Sequence, residues 1–179
     1  MTKKFILLIT ILGCLMNLAA CSPYVTWNEE VKLNDGRVIV VEQRVRAQGP
    51  IPREDWLTIN LPEFSQRPIV WHENLVPFVV NIDEGRLYVV GNPPTPFETR
   101  HYGCQSPPYL GFVWENERWN RIPFDKIPKE IYSTNMLIEG LPPQGTSLLT
   151  LEKKNSAELN GSAGLTWART INPNSGSGC

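Results

Sequence analysis

Hydrophobic and polar positions alternate along this chain in short stretches separated by turns, which is typical of β-strands. Val25 to Leu33 precedes the turn sequence Asn34-Asp35-Gly36, and a second run from Arg37 to Arg46 follows it. Asp and Gly tolerate the positive φ angles of a tight turn, so the pattern predicts a β-hairpin. Val38-Ile39-Val40-Val41 is apolar without interruption, which predicts a strand buried on both faces.

Two later turns predict further hairpins. Their paired runs are Pro77 to Ile82 with Arg86 to Val90, and Tyr109 to Trp114 with Arg118 to Ile122. Trp114 and Trp119 flank the last turn, so we expect them to pack across the two strands. Weaker patterns predict single strands at Trp56 to Leu61 and at Ile69 to His72.

Helix signals are few, because the 16 prolines recur too often for a long helix across the middle. Thr150 is a good N-cap for a short helix through Leu159, with Gly161 just after its end. Pro128 to Tyr132 predicts one further helical turn, and Thr166 to Ile171 predicts a last strand. The spans rich in Pro, Gly and polar residues are predicted to be irregular: Arg46 to Asp55 and Gly91 to Pro108.

These elements predict a mainly β fold with seven or eight strands. The arrangement expected is an antiparallel β-sandwich or a partly open barrel, with one short helix in the C-terminal region. No change of composition divides the chain, so residues 25–171 are predicted to form a single β-rich domain, followed by a polar tail at 172–179 that ends in a cysteine.

The first 20 residues differ from the rest of the chain. Lys3 and Lys4 precede an uncharged run from Phe5 to Met16, and small residues follow it. This is the layout of a secretory signal peptide, predicted here at residues 1–20. An apolar run of about 12 residues is too short for a helix that crosses a hydrocarbon core of about 30 Å.

The sequence Leu18-Ala19-Ala20-Cys21 resembles the lipobox of bacterial lipoproteins. The resemblance implies that the chain is cut before Cys21, that the Cys21 thiol carries a diacylglycerol and that the new amine is acylated. Residues 21–24 are then a lipid-anchored stalk. An Asp after the lipidated Cys signals retention in the inner membrane in this family, so Ser22 implies the outer membrane of the bacterial cell envelope, facing the periplasm.

Two cysteines remain for the folded domain once Cys14 leaves with the signal peptide and Cys21 is lipidated. In an oxidising compartment, Cys104 and Cys179 are expected to form a disulfide. A free thiol, or a bridge to another molecule from the flexible tail, is the alternative.

Charge and motifs exclude several function classes. Removal of Lys3 and Lys4 reduces the 17 basic residues to 15 against 18 acidic ones, a net charge of −3 that offers no basic patch for nucleic acid. His72 and His101 lack metal-ligand spacing, and the serine nucleophile motifs are absent. We therefore expect neither an enzyme nor a cofactor or metal site.

Two other sets of residues invite a functional interpretation. Glu29-Glu30 would be a carboxylate pair, but neighbours on a strand point to opposite faces, so a solvated edge is expected. Most tryptophans are predicted to be core or cross-strand residues. Tyr24 and Trp27, close to the anchor, are candidates for contact with lipid headgroups, and the hairpin of Trp114 and Trp119 is a candidate platform for sugar stacking.

The segment from Trp27 to Glu42 also resembles the opening of a group of uncharacterised proteobacterial proteins with the pattern WxEEVxLxDGRVIVVE. Trp119 to Phe124, with Ile127-Pro128 after it, is similar to a later segment of that group. This resemblance implies no activity and no functional residue.

The sequence therefore predicts a lipid-anchored envelope domain that binds another envelope protein or a cell-surface polymer, or helps an assembly form. The alternative is an inhibitor of a cell-wall hydrolase of the lysozyme type, or an envelope hydrolase itself. An inhibitor would insert a loop into its target, and His101 and Ser106 near Cys104 are the candidate residues for that loop.

Overall fold

A computed structural model of the protein describes residues 24–138, 141–156 and 170–179. Within these residues the fold is mainly β, as predicted, with two largely antiparallel sheets and few helices. The predicted signal peptide and Cys21 lie outside the described residues. Among the described residues, no helix has the length and apolar character needed to span a membrane.

The first sheet has five strands in the spatial order β4-β3-β2-β1-β9. The strands are β1 (Tyr24–Lys32), β2 (Val38–Gln48), β3 (Ile51–Ile59), β4 (Ile69–Glu73) and β9 (Leu148–Leu149). Only β9 runs parallel to its neighbour, β1. The predicted first hairpin is confirmed: Gly36 takes a φ of +90°, and the side chain of Asp35 accepts a hydrogen bond from the Arg37 N–H.

The second sheet has four strands in the order β5-β6-β7-β8. They are β5 (Val76–Asp83), β6 (Arg86–Asn92), β7 (Leu110–Glu115) and β8 (Arg118–Ile122), so both predicted hairpins are confirmed. The described strands form two separate sheets with apolar side chains between them, which is the sandwich rather than the barrel. The core between the sheets includes Leu57, Ile59, Trp71, Leu87, Val89 and Phe112.

A second apolar layer covers the other side of the four-stranded sheet. Short 3₁₀ turns at Phe124–Lys126 and Lys129–Ile131 lie there, the latter within the predicted helical turn. A Cβ atom on Gly111 would lie 2.6 Å from Ile127, so this glycine lets the covering segment approach β7. Since both faces of this sheet are covered, Leu87 to Val90 are all buried.

Among the described residues, other elements cover the first sheet on one face only, and the prediction for β2 is wrong on this point. Val41 is fully buried, whereas Val38 and Val40 are 51% and 50% exposed. An apolar run does not by itself show how many faces of a strand other elements cover. The prediction of an irregular span from Arg46 to Asp55 is also wrong, because β2 and β3 continue through it and pair, with a register shift at Arg46/Ala47.

The helices are short. α1 (Pro96–His101) lies in a span predicted to be irregular, and Thr95 caps it. α2 (Leu151–Asn155) begins as predicted, with the Thr150 hydroxyl accepting a hydrogen bond from the Lys153 N–H, but Ser156 is extended and ends it earlier than predicted. Of the predicted last strand, residues 166–169 lie outside the described residues, and Thr170 forms a single antiparallel bridge with Ser133.

Candidate functional site

The uncovered face of the five-stranded sheet, here called the outer face, is one candidate contact surface. Alternation along β1 and β2 directs odd-numbered residues into the core and even-numbered residues outward. Along β4, Val70 and His72 also point outward. The described residues leave three valines of this face about half exposed, and they are Val38 at 51%, Val40 at 50% and Val70 at 48%.

Four side chains from four strands form a row across the outer face, which we call the aromatic ridge: Tyr24, Arg44, Trp56 and His72. Their strands bring them together because Arg44 pairs with Trp56, and Trp56 pairs with His72. The rings of Trp56 and His72 stack with centroids 4.3 Å apart and planes 15° apart. Tyr24 meets Trp56 edge-on at 5.7 Å.

Arg44 completes the ridge. Its guanidinium carbon lies 4.4 Å from the ring centroid of Tyr24 and 5.6 Å from that of Trp56. Both positions are within the range of a cation–π interaction, which contributes about 0.5–1 kcal/mol at an exposed site. No carboxylate of the described residues lies within ion-pair distance of Arg44. The ridge therefore holds a positive charge between two aromatic rings.

The neighbouring Glu54 is already engaged. It accepts hydrogen bonds from Arg46 at 2.7 Å and from His72 at 2.8 Å. Partial burial favours the neutral carboxyl, but the two hydrogen bonds outweigh this effect and lower the pKa of Glu54. Glu54 thus fixes the position of the His72 ring on Trp56.

A second candidate is a cluster of polar side chains on the inner face of the same sheet. Glu29, Gln43 and Asp55 come from three adjacent strands, and each is at most 1% exposed. Glu29 accepts hydrogen bonds from Gln43 Nε2 at 2.5 Å, from the Leu137 N–H at 2.6 Å and from Lys154 Nζ at 2.9 Å. The carboxylate therefore ties β1 to β2, to the segment at Leu137 and to α2.

Asp55 is the unusual member of this polar cluster. Its Oδ1 atom is buried with no hydrogen-bond partner among the described residues. Desolvation raises the pKa of Asp55 well above its ordinary value, and the nearby charge of Glu29 raises it further. The two carboxyls are too deeply buried to touch a substrate in this conformation, so the cluster can hold the fold but cannot perform acid–base catalysis as it stands.

The predicted pair Glu29-Glu30 has a different role from the one expected. Their side chains do point to opposite faces, but the expectation of a solvated edge is wrong because Glu29 is fully buried. Glu30 is half-buried and accepts a hydrogen bond at 2.9 Å from the N–H of Leu151, the first residue of α2. Strand alternation contains the signal for Glu29, since it has the same parity as the buried Trp27 and Val31.

The cysteines of the domain are brought together. Cys104 and Cys179 form a disulfide with a Cα–Cα distance of 5.8 Å. The structure therefore contains the expected intramolecular bridge rather than a free thiol or a bridge to another molecule. Cys21, the predicted lipidation site, lies outside the described residues, three positions before Tyr24.

The candidate residues for an inhibitory loop, His101 and Ser106, lie close to Cys104 in the sequence and make separate contacts. His101 ends α1 and packs edge-on against Tyr102 at 5.2 Å. The Ser106 hydroxyl donates a hydrogen bond to the Ser175 carbonyl at 3.2 Å, which ties it to the C-terminal tail. Among the described residues, no three His, Cys, Asp or Glu side chains form a group that could hold a metal ion.

The structure also changes the interpretation of the predicted aromatic sites. Trp114 and Trp119 pack across β7 and β8 as expected, but their rings meet edge-on at 63°, and Trp119 Nε1 donates a hydrogen bond to the Val70 carbonyl. They therefore do not form a flat sugar platform. Trp27 is buried at 3% exposure, so the expectation that it contacts headgroups is wrong, whereas Tyr24 lies on the aromatic ridge.

Comparison with known proteins found no match among protein-family models, curated proteins or solved structures.

Proposed function

We propose that the protein is a lipid-anchored module of the bacterial cell envelope that acts by contact, with the outer face as its contact surface. The observation that carries the proposal is an uncovered sheet face that begins at Tyr24, three positions after the predicted lipidated Cys21. The face holds two features, the aromatic ridge at its N-terminal end and an exposed apolar pair, Val38 and Val40, here called the valine patch.

The two features lie at opposite ends of the outer face. Tyr24 pairs with Arg46, and at the far end of the same hairpin Lys32 pairs with Val38. Eight residue steps at about 3.3 Å each give the hairpin a length of roughly 26 Å, and four steps, about 13 Å, separate Arg44 of the ridge from Val40 of the patch. The ridge is therefore close to the proposed anchor, and the valine patch projects away from it, where another envelope component has access to it.

Exposed valines on a regular strand suit a protein partner better than a soluble small molecule. Val38 and Val40 lie opposite Lys32 and Glu30 on the neighbouring strand, so the patch is a small apolar centre with charged neighbours, as in a protein interface with a polar rim. We propose an outer-membrane location for the module on the resemblance of its lipobox, with the domain in the periplasm.

The alternative, an inhibitor of a cell-wall hydrolase, has weaker support. It requires a projecting loop with an available reactive group near Cys104. The hydroxyl of Ser106 is engaged by the carbonyl of Ser175, and the loop is joined to the C-terminal tail by the disulfide. The open outer face is therefore the better candidate surface.

The anchor is tested by expressing the full chain in a Gram-negative bacterium with radioactive palmitate. We expect the native chain to incorporate the label and to sediment with the outer membrane, and Cys21→Ser to lose both properties. The double variant Cys104→Ser/Cys179→Ser is the control, because it removes the two disulfide-bonded cysteines and leaves Cys21, and should keep the label. Label that persists in Cys21→Ser, or a native chain without label, contradicts the proposal.

A further inference from the structure

The aromatic ridge lies within short reach of the proposed anchor. Only Ser22 and Pro23 separate Cys21 from Tyr24. A fully extended chain spans at most about 3.6 Å per residue, so the Cα atoms of Cys21 and Tyr24 are no more than about 11 Å apart. A lipid on Cys21 places the end of the ridge at the surface of the bilayer.

The packing of the ridge shows which part of each ring is available. His72 on β4 covers one side of Trp56, and Arg44 on β2 lies over the ring from the other side. Because both faces of Trp56 are occupied, a sugar ring cannot stack on it. The ridge instead presents ring edges together with polar atoms. Tyr and Trp side chains of this amphipathic kind are enriched where a protein meets the headgroup region of a membrane.

Arg44 supplies the matching polar chemistry. Its guanidinium is held by Tyr24 and Trp56 and has no carboxylate partner among the described residues. Guanidinium groups donate paired hydrogen bonds to phosphate oxygens. Glu54, the acid next to the ridge, is engaged by Arg46 and His72, and Glu42 lies one row further from Tyr24.

We infer that the aromatic ridge docks on the phospholipid headgroups of the membrane that holds Cys21, with the ring edges in the interface and Arg44 on a lipid phosphate. The inference rests on the proposed lipid anchor. It gives the anchor a consequence for orientation: the domain is held with its ridge at the bilayer and its valine patch directed outward, rather than moving freely on its stalk.

The test uses the full lipidated protein reconstituted into vesicles of phosphatidylethanolamine and phosphatidylglycerol. Half of the preparations contain phospholipids that are brominated on the acyl chain near the headgroup, and bromine quenches tryptophan emission only at short range. We expect bromine to reduce the emission of the native protein, and Trp56→Phe to lose most of this quenching. Trp114→Phe, which removes a tryptophan from the other sheet, is the control and should keep the quenching.

Each outcome is decisive. Quenching that Trp56→Phe leaves unchanged overturns the inference, and so does native emission that bromine does not reduce; the latter measurement needs no variant to fold. Co-sedimentation of protein and vesicles is recorded in the same samples. A protein that sediments without being quenched refutes the docking alone, whereas a native protein that does not sediment refutes the proposed anchor and the docking with it.

Discussion

Lys154 and Glu29 form a buried ion pair, with Nζ 2.9 Å from Oε1, although 125 positions separate them in the sequence. The pair joins α2, near the end of the described chain, to the middle of the first strand. Lys154 also donates a hydrogen bond to the Asn135 carbonyl at 2.6 Å. These contacts hold Asn135 and α2 against the five-stranded sheet.

Loss of either partner should therefore destabilise the fold strongly. Removing one member of a buried pair leaves the other charge without compensation and typically costs about 3–5 kcal/mol. We expect Glu29→Gln and Lys154→Met each to lower the free energy of unfolding by that amount in urea titrations, and the double variant to recover part of the loss. Arg67→Ala, which removes an exposed pair with Glu117, is the control and should change stability by less than about 1 kcal/mol. Equal effects of the buried and exposed substitutions would refute this account.

Asp55 gives the fold a specific pH dependence. Its pKa is raised in the folded state, so the unfolded chain loses this proton at a lower pH than the folded protein does. The contribution of Asp55 is therefore most favourable below the unfolded pKa of about 3.9, and stability is lost as pH rises from there through the folded pKa. We expect Asp55→Asn to match the native protein near pH 4 and to be more stable at pH 7 by on the order of 1–3 kcal/mol.

Chemical denaturation of both proteins across pH 4–8 measures this difference, and Asp125→Asn at an exposed position serves as the control. A gain for Asp55→Asn that does not depend on pH would mean that titration of this carboxyl is not the cause.

The turn between β7 and β8 contains backbone strain that a substitution can relieve. Asn116 and Glu117 both have φ angles of 56°, in the left-handed region that glycine adopts without cost. We expect Glu117→Gly to stabilise the protein by less than about 1 kcal/mol, seen as a higher midpoint of thermal unfolding, because the greater freedom of glycine in the unfolded chain offsets part of the relieved strain. Gly85→Ala, at a φ of 72° in the turn between β5 and β6, should have the opposite effect. A destabilised Glu117→Gly would show that the Glu117 side chain contributes more than its backbone strain costs.

The disulfide should contribute substantially, because it closes a loop with a sequence separation of 75. The chain-entropy account gives an upper figure of about 4–5 kcal/mol for a loop of this length. We expect Cys104→Ser/Cys179→Ser to lower the free energy of unfolding towards that limit. We also expect the denatured, lipidated native chain to contain no reactive thiol unless a reductant is added. Two reactive thiols would contradict the intramolecular bridge.

Turn chemistry made the hairpins predictable. The sequence Asn34-Asp35-Gly36 marked one turn and Glu84-Gly85 another, and local backbone preferences act there without help from the rest of the fold. The number of covered faces was not predictable. Val38 to Val41 and Leu87 to Val90 are similar apolar runs, yet only the second lies between two layers. The segments that cover a strand are distant from it in the sequence, so the apolar run alone does not indicate whether one face or both faces are covered.

The two candidate sites also differ in how far the sequence predicts them. The buried position of Glu29 follows from its parity with Trp27 and Val31, so alternation along β1 is a sequence signal for it. The aromatic ridge requires the register of four strands, because Tyr24, Arg44, Trp56 and His72 are neighbours only after β1 to β4 have paired. Neither the spacing of these residues nor their types indicate that pairing.

The most direct test of the proposed function places a photo-activated crosslinking residue at Val40 of the full-length chain in its bacterial host. Val40 lies on the valine patch, and exposed Asp125, on the covering layer of the other sheet, is the control position. The account predicts that irradiation at position 40 yields a discrete adduct with an envelope component that position 125 does not give. No adduct at position 40, or the same adducts from both positions, would contradict a contact function of the outer face.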